Sequence, residues 1–228
     1  MTSGIRGPGR AGAVGPAAPR RPARAAARTG PGPVPQRSAS LVPVAAAEES
    51  AYRYRVAGPG DIEAVEALDG SFTTDTVFRV TVTDEGFALR EIAVDPPLTK
   101  VFPEDDAHQD GGDDADCRTF LAHAPTGELA GFALVAYSGW NRRLTVEDIE
   151  IAPEHRGRGI GRALTGLAAE FARERGAGHL WLEVSSVNAP AIRAYRRMGF
   201  AFCGLDTTLY DGTPSEGEHA LYMSMPCR

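Results

Sequence analysis

Between Leu144 and Ile151 apolar and polar positions alternate and then lose step once. Leu144 and Val146 keep one phase and Ile149 and Ile151 the other, with Glu147 and Asp148 between them. Strict alternation predicts a half-buried strand, and a single slip of phase predicts a β-bulge within it. Ala152-Pro153 ends the strand, because proline cannot donate to a ladder. Further on, Leu164, Leu167, Ala168 and Phe171 recur at the spacing of one helix face. They predict a helix over residues 161–175, stopped at Gly176. Leu180, Leu182 and Val184 define the next strand. A helix follows over 189–198, with Pro190 in its first turn and Gly199 just past its end. Residues 200–205 and 220–225 read as two closing strands.

The same pattern upstream predicts a strand over 52–56, a Pro59-Gly60 turn, and a short helix through Leu68 capped by Asp61. Residues 76–82 and 87–94 form a hairpin around Asp84-Glu85-Gly86, which Asp95-Pro96-Pro97 ends. Residues 118–124 and 129–137 form another, turning at Pro125-Thr126-Gly127. Strands and helices therefore mix without an internal repeat, as in an α/β or α+β domain.

Composition divides the chain near residue 50. Residues 1–50 hold eight of its 17 prolines, seven arginines, two acids and no aromatic residue. A segment of that kind cannot bury enough apolar surface to offset its ordering entropy, so a disordered Ala/Pro/Arg-rich tail is expected. A transit peptide and a translated upstream frame are the alternatives. Residues 51–228 then carry 17 basic and 28 acidic side chains, a net charge of −11. That balance disfavours nucleic acid as a partner and favours a cationic small molecule. Residues 104–116 contain seven acids, but position 12 of an EF-hand counted from Asp106 is Cys117, where glutamate is required, so a solvated loop is expected. Three cysteines without C-x-x-C spacing suggest reduced thiols in a cytoplasmic protein. No apolar run is long enough to span a membrane, and neither His-Glu-x-x-His nor Gly-x-Ser-x-Gly occurs, so no metal is expected. The oligomeric state stays open, a homodimer included.

The candidate chemistry begins at the turn Arg156-Gly157-Arg158-Gly159-Ile160-Gly161-Arg162, between the bulged strand and the helix. Glycines let a ligand reach the backbone, and a helix N-terminus offers unpaired N–H groups and a positive dipole end. Such a turn binds anions. A Walker A loop is ruled out, since the only lysine is Lys100, after Thr99. The dinucleotide fingerprint fails too, because Arg162 or Leu164 stands where its last Gly or Ala belongs. What remains, Arg156-x-x-Gly159-x-Gly161, resembles the acetyl-CoA pyrophosphate loop of the GCN5-related N-acetyltransferase (GNAT) family. Asn188 and Tyr195, seven residues apart and followed by Gly199-Phe200, resemble that family's second motif.

The resemblance implies a mixed, mostly antiparallel sheet splayed between its fourth and fifth strands, with helices on both faces. It implies acetyl-CoA as co-substrate, with its pantetheine arm along the backbone of Ile149 to Ile151 and against Asn188. Tyr195 would be the general acid for the departing thiolate. An amine acceptor, with a pKa of about 10, must lose a proton before it attacks. Glu147, Asp148 and Glu150 are the candidate bases, and alternation puts Asp148 and Glu150 on one face. Residues 51–55, 67–80, 94–103 and 137–150 further resemble the streptothricin (nourseothricin) N-acetyltransferases, which acetylate the β-lysine amine of a cationic antibiotic and inactivate it. That resemblance places Thr74, Asp75, Phe78, Trp140 and Asp148 at the substrate. Acetylation of a polyamine or protein amine, or acyl-CoA binding without catalysis, are the alternative functions. Tyr195 and the strand acids speak against the last, since a pure binder needs neither.

Overall fold

The computed structural model describes residues 52–101 and 116–227. The tail expected over residues 1–50 lies outside them, as does the acidic loop of 104–116 apart from Asp116. Strand β6 (Arg143–Ile151) has the position that organises the rest. On one side it pairs antiparallel with β5 (Leu129–Ser138), beyond which lie β4 (Cys117–His123) and β1 (Arg53–Val56). On the other it pairs parallel with β7 (His179–Ser185), followed by β9 (Ala220–Pro226) and β8 (Ala201–Asp206). The seven-stranded sheet is therefore mixed and mostly antiparallel.

The slip of phase is a bulge. Val146 opposes Val135 and Asp148 opposes Leu134, which leaves Glu147 as the extra residue. The bulge lets Val146 and Ile149 turn to the same face although they are three positions apart. Helix α2 (Ile160–Glu174) makes the crossover that a parallel pair requires. It buries Ile160, Leu164, Ala168 and Phe171 in one core with Val135, Leu144, Val146, Leu180 and Leu182. Each large side chain removed from water there contributes about 1.5–3 kcal/mol. Phe132, Leu134, Thr145, Asp148, Glu150, Trp181 and Glu183 alternate with these residues and belong to the opposite face. There α1 (Ile62–Glu66) packs on β5.

A separate two-stranded ribbon, β2 (Phe72–Thr83) and β3 (Gly86–Lys100), is tied to the sheet and to α3 (Ala189–Met198). The Phe78 N–H donates to the Ser186 carbonyl at 2.8 Å, and Arg193 donates to Thr76 Oγ1 and to Glu91. One expectation fails in this region. The proline pair does not end the hairpin: Thr76 pairs with Ala93 and Thr74 with Leu98, so residues 94–97 form a bulge opposite Asp75 that includes a cis Asp95–Pro96 bond. A proline is tolerated because β3 is an edge strand. Asp61 is the N-cap residue of α1, but its side chain makes no capping hydrogen bond to that helix. Its carboxylate accepts from Gly58 N and pairs with Arg55, closing the turn before the helix.

Candidate active site

The anion-binding turn is built from backbone. Gly157 (φ 74°) and Gly159 (φ 84°) take left-handed conformations that disfavour other residues, and Gly159 is the N-cap of α2. A side chain at Gly157, Gly159 or Gly161 would meet no protein atom within 4 Å, so the first turn of α2 faces open space. Ile160 points the other way and is buried. No acid lies in that first turn, and Arg156, Arg158 and Arg162 are exposed around it. Arg156 Nε also donates to the Ile151 carbonyl at 2.8 Å, which fixes the turn to the end of β6. The residues present fit a pyrophosphate: uncapped N–H donors, fixed positive charge, and room for a ligand.

Beside this turn the sheet opens. β6 and β7 pair only from Arg143–His179 to Val146–Leu182. Beyond that point, among the described residues, no strand pairs with β6 on the β7 side, while its other side stays on β5 through Gly131. Residues 149–151 thus present a strand edge to the gap, where the amides of a pantetheine arm can pair as another strand would. Asn188, at the N-terminus of α3, uses its Oδ1 to accept from Ala191 N at 3.1 Å. Its amide N–H groups and the second lone pair of Oδ1 can serve a ligand there.

The acids of β6 separate clearly in their surroundings. Glu147, on the bulge, is exposed, while Asp148 and Glu150 are half-buried on the face opposite the α2 core. Glu150 lies under the turn after α1, its carboxylate against Gly70. Burial first, and then the charges of Asp148 and Asp69, push the Glu150 carboxyl up to about 7, with Arg156 acting the other way. Tyr195, on α3, packs its ring against Phe200 with centroids 5.7 Å apart. Burial, then Asp148 and Glu183, push its hydroxyl above the usual tyrosine range, so it keeps its proton. Asp148 therefore acts on both groups.

The residues placed at the substrate by resemblance divide. Thr74 is buried, and its hydroxyl donates to the Thr76 carbonyl at 2.7 Å, inside the ribbon. Phe78 is a core residue, 6 % exposed, with its ring edge to Phe202. Both lie at the foot of the ribbon, where it packs on the sheet. Asp75 is exposed at the β3 bulge. Trp140 is 88 % exposed in the turn before β6, at the end of that strand remote from Glu150.

Other groups escaped the sequence reading. His155 is buried between the Tyr52 hydroxyl (3.0 Å) and Glu128 (3.1 Å), and it holds the short 3-10 turn that precedes Arg156. On the β7 face, Glu183 accepts from the Tyr210 hydroxyl, and burial pushes its carboxyl up, the Tyr210 bond opposing and Glu218 adding to the effect. Glu218 in turn pairs with Lys100 of the ribbon. Glu183 occupies the polar phase of a strand whose apolar phase is obvious, which is the one signal that marks it.

An open α2 N-terminus beside a strand splay can seat an anionic ligand with an extended amide arm. Residues 87–200 match the acetyltransferase (GNAT) family model, and the chain belongs to that family. It is 70 % identical over 182 residues to a streptothricin acetyltransferase of Streptomyces lavendulae, which covers 78 % of this chain and 96 % of that protein. A streptothricin acetyltransferase of Escherichia coli is 29 % identical over 163 residues, 70 % of this chain and 89 % of the relative. Among solved structures, nourseothricin acetyltransferase is similar at 74 % identity and a TM-score of 0.73, over 78 % of this chain and 99 % of that one. A Bacillus anthracis structure in complex with acetyl coenzyme A shares the fold at 22 % identity and a TM-score of 0.65, over 77 % of this chain and 98 % of that one. Among the described residues no helix is long and apolar enough to cross a membrane.

The loop yields a first test. Gly161 has a helical conformation and open space around it, so leucine should fold there without strain and still block the approach of a phosphate. A hydrogen bond to a charged group is worth about 1.5–3 kcal/mol. Gly161→Leu should therefore raise the KM for acetyl-CoA by about tenfold to a hundredfold in steady-state assays and leave the KM of the acceptor nearly unchanged. Equal effects on both would indicate damage to the fold instead.

Proposed function

We propose that the protein transfers the acetyl group of acetyl-CoA to the β-lysine amino group of streptothricin-class antibiotics, inactivating them in the cytoplasm and so conferring resistance. The observation that carries the substrate assignment is the 70 % identity to the Streptomyces lavendulae streptothricin acetyltransferase, which extends over 182 residues, well beyond the segment matched by the family model. The acidity of residues 51–228 supports it independently, because these antibiotics are polycations. Three free cysteines accord with a reducing compartment.

In this mechanism the α2 N-terminus and its arginines hold the pyrophosphate, and residues 149–151 with Asn188 hold the pantetheine arm. A backbone N–H of the same strand region polarises the acyl carbonyl. Glu150 takes the proton of the incoming ammonium. An ordinary carboxylate lies about six pKa units below an alkyl ammonium, so its transfer is steeply uphill. Held near 7, Glu150 about halves that gap and is roughly half ionised in neutral solution. The neutral amine attacks the thioester, Tyr195 gives its proton to the sulfur as the C–S bond breaks, and the second proton shed by the nitrogen returns through solvent to the tyrosine oxygen, leaving the amide and free coenzyme A. Asp148, between acid and base, holds the cationic end of the acceptor.

Acetyl-CoA turnover with streptothricin, spermidine and a panel of peptide amines, each at low and high salt, tests the assignment. Streptothricin should have by far the highest kcat/KM, and that value should fall as salt rises, since exposed charges are screened beyond about 8–10 Å. Preference for spermidine or a peptide would replace the antibiotic with that acceptor. A salt-independent kcat/KM would leave the acidity as a matter of solubility.

A further inference from the structure

The turn Asp69-Gly70-Ser71, between α1 and β2, covers the carboxylate of Glu150. A Cβ atom on Gly70 would stand 2.2 Å from Glu150 Oε1, 2.5 Å from its Cδ and 2.7 Å from its Oε2. No side chain fits at position 70 while the carboxylate keeps its place. The three nearest atoms all belong to the tip of a flexible side chain, so the glutamate yields first to a larger residue. The backbone of Gly70 is not in the left-handed region, so glycine is not required there for conformational reasons. Next to it, Asp69 Oδ1 accepts from Ser71 N at 2.8 Å, which fixes that carboxylate at the edge of the turn. Hydrogen bonds from Ser71 hold the Asp69 carboxyl below its ordinary range, so it is charged in neutral solution.

We propose that Gly70 is a positioning residue for the transfer reaction, its missing side chain making the seat in which the Glu150 carboxylate is held beside the fixed charge of Asp69. The inference rests on Glu150 as general base. The charged groups around Glu150 come from three elements: Asp148 from β6 itself, Asp69 from the turn above, and Arg156 from the loop that follows β6. Two of the three are negative, and both favour the protonated acid. The seat thus restricts the carboxylate in space, and Asp69 helps to keep it a usable base near neutral pH. Without the seat the carboxylate turns toward water and reverts toward an ordinary, weakly basic glutamate.

Three variants, Gly70→Ala, Asp69→Asn and Glu150→Gln, test this with thermal melting, both KM values and the pH dependence of kcat/KM. Gly70→Ala should melt within a few degrees of the unmodified protein and keep its KM for acetyl-CoA. Its kcat should fall at least tenfold, and the pH at which kcat/KM levels off should move below 7. Asp69→Asn removes a negative neighbour, so its levelling pH should also move down, with a smaller loss of rate. Combined with Glu150→Gln, Gly70→Ala should cost little more, because the two act through one carboxylate. Unchanged kcat and pH profile in Gly70→Ala, alongside a collapsed Glu150→Gln, would overturn the seat and leave the base in place. An active Glu150→Gln would overturn the base and the seat with it.

Discussion

Replacing Glu150 by glutamine should lower kcat with a streptothricin-class acceptor by roughly 10²–10⁴-fold, the usual contribution of a positioned base. Glutamine keeps the shape and the place under Gly70 but cannot take a proton. The acetyl-CoA site proposed on the N-terminus of α2 and the open edge of β6 should keep its affinity. The same variant should gain stability in one pH range only. The folded protein raises the Glu150 carboxyl from an ordinary 4.5 to about 7. A group with a raised pKa contributes its stability below the unfolded value and loses it as pH rises through the folded one. Glu150→Gln should therefore melt higher than the unmodified protein at pH 8 and match it at pH 4.5. A residue that lowers stability where the enzyme works is accounted for by its chemistry.

Tyr195→Phe should be the second large loss, of about a hundredfold in kcat, with acetyl-CoA binding close to normal. The ring contact with Phe200 survives the substitution, so melting should change little. The expected loss sits at the low end for acid catalysis because a thiolate, with a pKa of about 8.5, is a tolerable leaving group without help. Because burial and two carboxylates raise the tyrosine hydroxyl above its ordinary range, Tyr195 stays protonated across neutral and mildly alkaline pH. No fall in rate from its ionisation should appear below pH 10. Single-turnover measurements, where chemistry limits, are the check, and an unchanged rate under them would remove Tyr195 from the mechanism.

What could be read in advance follows the range of the interactions. The β6 bulge is local: one slip in alternation marks it, and Glu147 is the residue left over. The α2 N-terminus is local too, since glycine spacing and helix periodicity lie within one segment. The choice among Glu147, Asp148 and Glu150 is not local. A turn from another part of the chain covers Glu150, and nothing near residue 150 announces Gly70. The Tyr52–His155–Glu128 chain joins residues 103 and 27 positions apart, beyond any pattern in the sequence. The burial of Phe78 and Thr74 was not legible for a related reason, since an aromatic beside threonines carries the same pattern in a pocket as at the foot of a ribbon. Proline suggested an end to β3 because it removes a donor, but an edge strand can spare one.

The central claim is that a carboxylate made basic by its surroundings deprotonates the acceptor. The pH dependence of kcat/KM for streptothricin, with acetyl-CoA saturating, tests it most directly when the unmodified protein and Glu150→Gln are compared. With Glu150 present, kcat/KM should rise to a plateau through a pKa of about 7. Without it, the rate should be low and keep rising with pH toward the amine's own pKa of about 10, because only amine already neutral in solution can react. The same limb near 7 in both proteins would contradict the claim.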